Sequence, residues 1–135
     1  MIDKEAEILG RKVKADQVLE RAAADLKDIL KATARDLDPF PALFDSPFIK
    51  GVEAEPGTAA RADIGCVAVC ADGELYEYIY TMSVAGPYAD FSRKEDTKKL
   101  DLPPRDYIPY AYNAIDQLTR LIIERRSQPP PKNKA

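Results

Sequence analysis

The sequence predicts an α+β domain: a long N-terminal helix, a short antiparallel sheet and a C-terminal helix. Three observations predict it. An apolar stripe recurs every three or four residues from Leu19 to Leu37 within a helical-looking stretch 1–37, and a second one runs near the C-terminus. Between them, Asp72-Gly73 separates two β-rich runs, a strong short-range hairpin signal.

The first helix is clearest from Leu19 onward. Leu19, Ala23, Leu26, Leu30, Ala34 and Leu37 share one face, while Arg21, Asp25, Asp28, Lys31 and Arg35 form the other. Asp16 is the expected N-cap of this stronger part. Gly10 lies in the stretch before it, so that stretch is expected as a separate turn or two, or a frayed start. Asp38-Pro39-Phe40-Pro41 ends the helix, because proline disfavours helical geometry in the residue before it. The following loop, 38–47, holds three prolines, and its Phe40, Leu43 and Phe44 are expected to tuck onto the domain.

A third strand is expected at 48–54, ahead of the hairpin at 63–84. A two-residue turn at Asp72-Gly73 would set Val69 opposite Tyr76 and Val67 opposite Tyr78. Side chains alternate along a strand. Val67, Val69, Tyr76, Tyr78 and Tyr80 would then share one face. Cys66, Ala68, Cys70, Leu75 and Ile79 would share the other, with Glu77 as its charged member. Both faces are therefore largely apolar, and each needs a cover. Cys66 and Cys70 would lie ~13 Å apart along one strand. That is beyond disulfide reach, so they read as small buried hydrophobes.

Gly86-Pro87 is expected to end the second strand, and Ser92 to Asp101 reads as a charged loop. The C-terminal helix is expected at about 106–126, with Asp106 as N-cap and Pro109 in its first turn. Ile108, Ala111, Ile115, Leu118 and Ile122 follow at coiled-coil-like spacings. Residues 1–126 thus form one domain, and 127–135, with Pro129-Pro130-Pro131, reads as a disordered tail.

Composition narrows the chemistry. The 135 residues include no His and only 2 Cys, and the net charge is −3. Histidine is the commonest general base and metal ligand, so Ser–His and Cys–His catalysis cannot be built within this chain. Two cysteines cannot complete a structural zinc site. Glu53, Glu55 and Asp63 flank one loop and could offer oxygen ligands, but surface acids around a turn explain them as simply. No P-loop, dinucleotide or nucleophile-elbow motif occurs. No cofactor and no metal is expected. The mild acidic balance argues against nucleic acid, and no apolar run is long enough for a membrane span. Charges at the N-terminal start replace the apolar core of a signal peptide, so a cytoplasmic location is expected.

The tyrosines are the most distinctive feature. Of 7 Tyr, three are Tyr76, Tyr78 and Tyr80, and three are Tyr107, Tyr110 and Tyr112. Tyrosine combines apolar area with a hydroxyl, which suits interfaces. The sequence therefore points to a non-catalytic interaction or accessory-subunit domain. It would be homodimeric through the aromatic sheet face or the C-terminal helix, or bound to another protein. The interface candidates are Val67, Val69, Tyr76, Tyr78 and Tyr80. The competing reading is a small-molecule binding protein or His-free enzyme. Its pocket would be lined by Tyr78, Tyr80, Tyr107 and Tyr110, with Arg105 receiving an anionic ligand. Glu77 is a candidate perturbed carboxylate, because burial disfavours the charged form.

Overall fold

The computed structural model describes residues 3–85 and 90–128. In chain order the elements are α1 (Lys4–Arg35), β1 (Val52–Ala54), β2 (Cys66–Val69), β3 (Leu75–Ala85), β4 (Asp90–Lys99) and α2 (Pro104–Ser127). The fold is α+β, with four strands in the order β1-β2-β3-β4, all neighbours antiparallel.

α1 is one continuous helix of 32 residues, not a frayed start followed by a capped body. Asp3 is its N-cap and accepts the Glu5 N–H at 3.1 Å. Asp16 is no cap; it pairs with Lys12 one turn earlier. Gly10 is tolerated because one exposed glycine costs only about 1 kcal/mol against alanine. Ala23, Leu30 and Ala34 are the buried residues of α1, and its N-terminal residues 3–18 are all exposed.

The hairpin register differs from the expected one by a single residue. Val69 faces Leu75, Ala68 faces Tyr76, Val67 faces Glu77 and Cys66 faces Tyr78. The loop has three residues, Ala71-Asp72-Gly73, instead of two. Cys70 N–H donates to Glu74 C=O at 3.1 Å, and Gly73 N–H donates to Cys70 C=O at 2.9 Å. Gly73 adopts φ +78, the left-handed position that closes a three-residue hairpin loop. Asp72 accepts the Glu74 N–H at 2.9 Å. A one-residue slip swaps the faces of one strand relative to the other. Val67 and Val69 therefore join Leu75, and Tyr76, Tyr78 and Tyr80 join Cys66 and Ala68.

The expected loop from Ser92 to Asp101 is instead largely strand. β4 pairs with β3 along its whole length, from Tyr76–Lys99 to Ala85–Asp90. Its charges conceal it, since an edge strand keeps a polar outer side to block further pairing. The third strand is shorter than expected, at 52–54, with one isolated bridge between Ala42 and Lys50. α2 begins at Pro104 with Pro103 as N-cap, which places Asp106 inside the first turn and Pro109 in the second. Gly86-Pro87 and most of the expected 127–135 tail lie outside the described residues.

The core lies between the helices and one sheet face. Leu30 and Ala34 of α1, Ala111, Ala114 and Leu118 of α2, and Val67, Val69 and Leu75 of the sheet are all buried. Leu37 and Phe40 join them from the turn after α1. The coiled-coil-like stripe of α2 is thereby used inside the molecule. No helix among the described residues is long and apolar enough to cross a membrane.

Candidate interaction surface

The second sheet face is covered by a different element, the 41–51 segment. This segment folds back on itself through Leu43 N–H to Ile49 C=O and Gly51 N–H to Pro41 C=O, both 2.9 Å. Phe44 and Asp45 take left-handed backbone, φ +49 and +59, which is costly for residues other than glycine. The turn sets the Phe44 ring edge-on to Tyr78, with centroids 5.4 Å apart. Buried Ser46 fixes the segment to the sheet. Its hydroxyl donates to Glu95 of β4 at 2.5 Å and accepts N–H groups from Phe48 at 3.2 Å and Ile49 at 3.1 Å.

β3 is longer than β2. β2 reaches only as far as Cys66, which faces Tyr78, so β3 beyond that point is paired by β4 alone. The resulting two-stranded ribbon carries Tyr80 and Met82 on the same face as Tyr78. Tyr80 is 47% and Met82 55% exposed, while Phe44 and Phe48 on the covering segment are 55% and 87% exposed. Two large side chains on the ribbon and two on the covering segment are thus exposed. Charged β4 residues stand opposite on both ribbon faces: Tyr80 pairs with Glu95 and Met82 with Arg93 on one, Ile79 with Asp96 and Thr81 with Lys94 on the other.

The other sequence-predicted residues lie elsewhere. Val67 and Val69 are buried at 1% and 0% in the helix-facing core, so the expected Val67–Val69–Tyr76–Tyr78–Tyr80 face does not form. Tyr76 lies nearer the hairpin turn and donates to Asp72 at 2.5 Å. That bond, with burial behind it, pushes its phenol up to about 12. Tyr78 is raised as well, first by burial and then by Glu95. Glu77 is half-buried on the helix-facing side, opposite Val67 and Lys98, and its carboxylate accepts the Gly65 N–H at 2.8 Å.

The tyrosines of the expected pocket are dispersed. Tyr107 lines an open cleft of about 430 Å³ with Glu74, Lys99 and Leu102, and the Lys27 ammonium lies 5.5 Å from its ring centre. Burial, then Glu74, pushes its phenol up to about 12. Tyr110 points to another edge, where its hydroxyl accepts the Arg61 N–H at 2.9 Å and anchors the 56–64 loop. Tyr78 and Tyr80 lie on the far side of the sheet. Arg105 is exposed beside Asp16 and Glu20, acids that oppose an incoming anion.

The remaining chemistry is subdued. The Cys66 thiol lies 3.3 Å from Glu53 and is pushed up to about 12 by burial and by that carboxylate. Cys70 is pushed up to about 11, mainly by burial. Both are free, and neither has the lowered pKa of a nucleophilic thiol. Glu53 is itself raised, first by burial. Asp63 is paired to Arg61, which holds its carboxyl below the usual range. Among the described residues no three His, Cys, Asp or Glu side chains gather as a metal site.

Phe48 and Met82 are not expected from the sequence as surface residues, and Phe44, expected to tuck onto the domain, packs on Tyr78 yet stays 55% exposed. For Phe44 and Phe48 the only local signal is the repeated aromatic spacing across a proline-rich loop, which does not say where that loop lies; Met82, in β3, has none. No family model, curated protein or solved structure matches this chain.

Proposed function

We propose that this chain is a non-catalytic interaction domain that binds another protein on the aromatic end of its sheet. The observation that carries this reading is the exposure of Phe44 and Phe48 on the segment that covers the Tyr78 face, together with Tyr80 and Met82 on the same face of β3. Exposed large apolar side chains, where they join into a patch, usually mark a binding site. Aromatic and methionine side chains are enriched in the centres of interfaces. On the β2 side, β3 has no strand partner beyond Tyr78 among the described residues. An extended partner segment could add there as a strand and rest alternate side chains on Tyr80 and Met82.

The test compares the wild type with Phe48→Ser/Tyr80→Ser in affinity capture from cells of origin. Both positions are exposed, so the variant should keep the wild-type melting temperature. A protein retained by the wild type and lost from the variant supports the reading. Equal retention by both, or no retained protein, overturns it.

A further inference from the structure

We infer that β3 pairs antiparallel with β3 of a second copy of this chain, joining two sheets into one across a two-fold axis at Met82. This rests on the reading that the aromatic end of the sheet is a binding surface, and it names the strand that adds there.

The first observation is which backbone groups face the open edge. Cys70 N–H donates to Glu74 C=O on the β2 side, and Leu100 N–H donates to Leu75 C=O on the β4 side. Hydrogen-bonding direction alternates along a strand, so even-numbered β3 residues address β2 and odd-numbered ones address β4. β2 ends at Cys66, opposite Tyr78. The N–H and C=O groups of Tyr80, Met82 and Val84 therefore point to a side with no strand among the described residues. Such a row of groups is a template for another strand, and an extended segment is what its chemistry selects.

The second observation is that this edge is unguarded. Edge strands usually carry charge or proline against further pairing. The outer strand β4 follows that rule with Lys94, Glu95, Asp96, Lys98 and Lys99. Tyr78 to Ala85 holds no charged residue and no proline.

The third observation selects a second copy. The open stretch 79–85 has Met82 at its centre, and the backbone groups of Met82 face the edge. Turned about that residue, the stretch is its own complement. Tyr80 falls opposite Val84 of the second copy, Thr81 opposite Ser83 and Ile79 opposite Ala85. Edge-facing residues then meet edge-facing residues, as hydrogen-bonded antiparallel pairs require. The added strand ends opposite Ile79, one position before the place that Cys66 fills. A centre at Thr81 would drive Val84 of the second copy into that place. No pair sets two charges together, and each copy gives what it receives under two-fold symmetry.

Sedimentation equilibrium and amide exchange on the full chain test this. The wild type should show twice the 15.0 kDa chain mass. The Tyr80, Met82 and Val84 amides should be protected in the dimer and released on dilution, while Thr81 and Ser83, bonded to β4, stay protected. Met82→Pro removes an edge-facing N–H and no bond to β4, so it should fold and weaken association at least about tenfold. Met82→Lys should do the same by placing two like charges at the axis. In a Cys66→Ala/Cys70→Ala background, Met82→Cys should cross-link, because paired Cα atoms lie about 5.5 Å apart. Tyr80→Cys should not, since its two copies would stand ~13 Å apart. A monomeric wild type at about 100 µM, a dimer that both Met82 substitutions leave intact, or cross-linking through Tyr80→Cys in place of Met82→Cys would each overturn the inference. A monomer that captures a protein lost from Phe48→Ser/Tyr80→Ser would overturn it and leave the ribbon reading standing. A dimer that captures no other protein would overturn the ribbon reading alone.

Discussion

Gly73 in the β2–β3 loop lies directly against Lys31 of α1: a Cβ added to it would stand 2.6 Å from the Lys31 Cα. The contact joins two demands at one residue. The loop needs φ +78 there, and the helix needs the space a side chain would fill. Lys31 also reaches Glu74, one residue on, at 3.3 Å. The hairpin is thus keyed to α1 by its turn. Gly73→Ala should destabilise the domain by about 2–4 kcal/mol, the sum of left-handed strain and a backbone clash that no rotamer relieves. Urea denaturation reads this directly, and a loss under about 0.5 kcal/mol would show that the helix yields easily.

Ser46→Ala removes the buried hydroxyl between the 41–51 segment and β4. Glu95 loses a donor, and the Phe48 and Ile49 N–H groups lose their acceptor. The expected cost is about 1–3 kcal/mol, because buried polar groups are left unmatched. Hydrogen exchange should quicken at Phe48 and Ile49 while the helices keep their protection. Uniform acceleration across the chain would mean that the segment and the body unfold as one unit.

Tyr110→Phe keeps the buried ring and deletes the acceptor of the Arg61 N–H. A loss of about 0.5–1.5 kcal/mol is expected, as for one ordinary hydrogen bond. The change should appear as faster exchange within 57–64. An unaltered loop would indicate that water replaces the hydroxyl without cost.

How far the sequence could be read depended on the range of the forces involved. The buried half of α1 and the body of α2 were legible, because a 3.6-residue apolar period is local and strong. The hairpin was legible as a hairpin, yet its register was not. Both the two-residue and the three-residue loop accept Asp-Gly, and packing of Gly73 against Lys31 lies far away in sequence. β4 reads as a loop in the sequence because an edge strand carries charge on its outward side. The aromatic surface was half legible. Tyr78 and Tyr80 announced themselves, but Phe44 and Phe48 meet them only through the turn at 44–45 and the Ser46–Glu95 bond.

Raised thiol and phenol values make the domain sensitive to alkali. Folding holds Cys70 protonated to about 11 and Cys66 to about 12, whereas unfolded cysteine ionises near 8.5. Tyr76 and Tyr107, both near 12 when folded, ionise near 10 once unfolded. Above about pH 8.5 the unfolded chain therefore binds fewer protons than the folded one, and stability falls as pH rises. This contribution is fully present below about pH 8.5 and is lost progressively toward pH 12. Melting temperatures measured from pH 8 upward should decline, first through the thiols and then through the phenols. Cys66→Ala/Cys70→Ala should flatten the decline between about pH 8.5 and 10 and leave the steeper fall above it. A double variant that declines as early as the wild type would show that the two thiols ionise with equal ease in the folded protein.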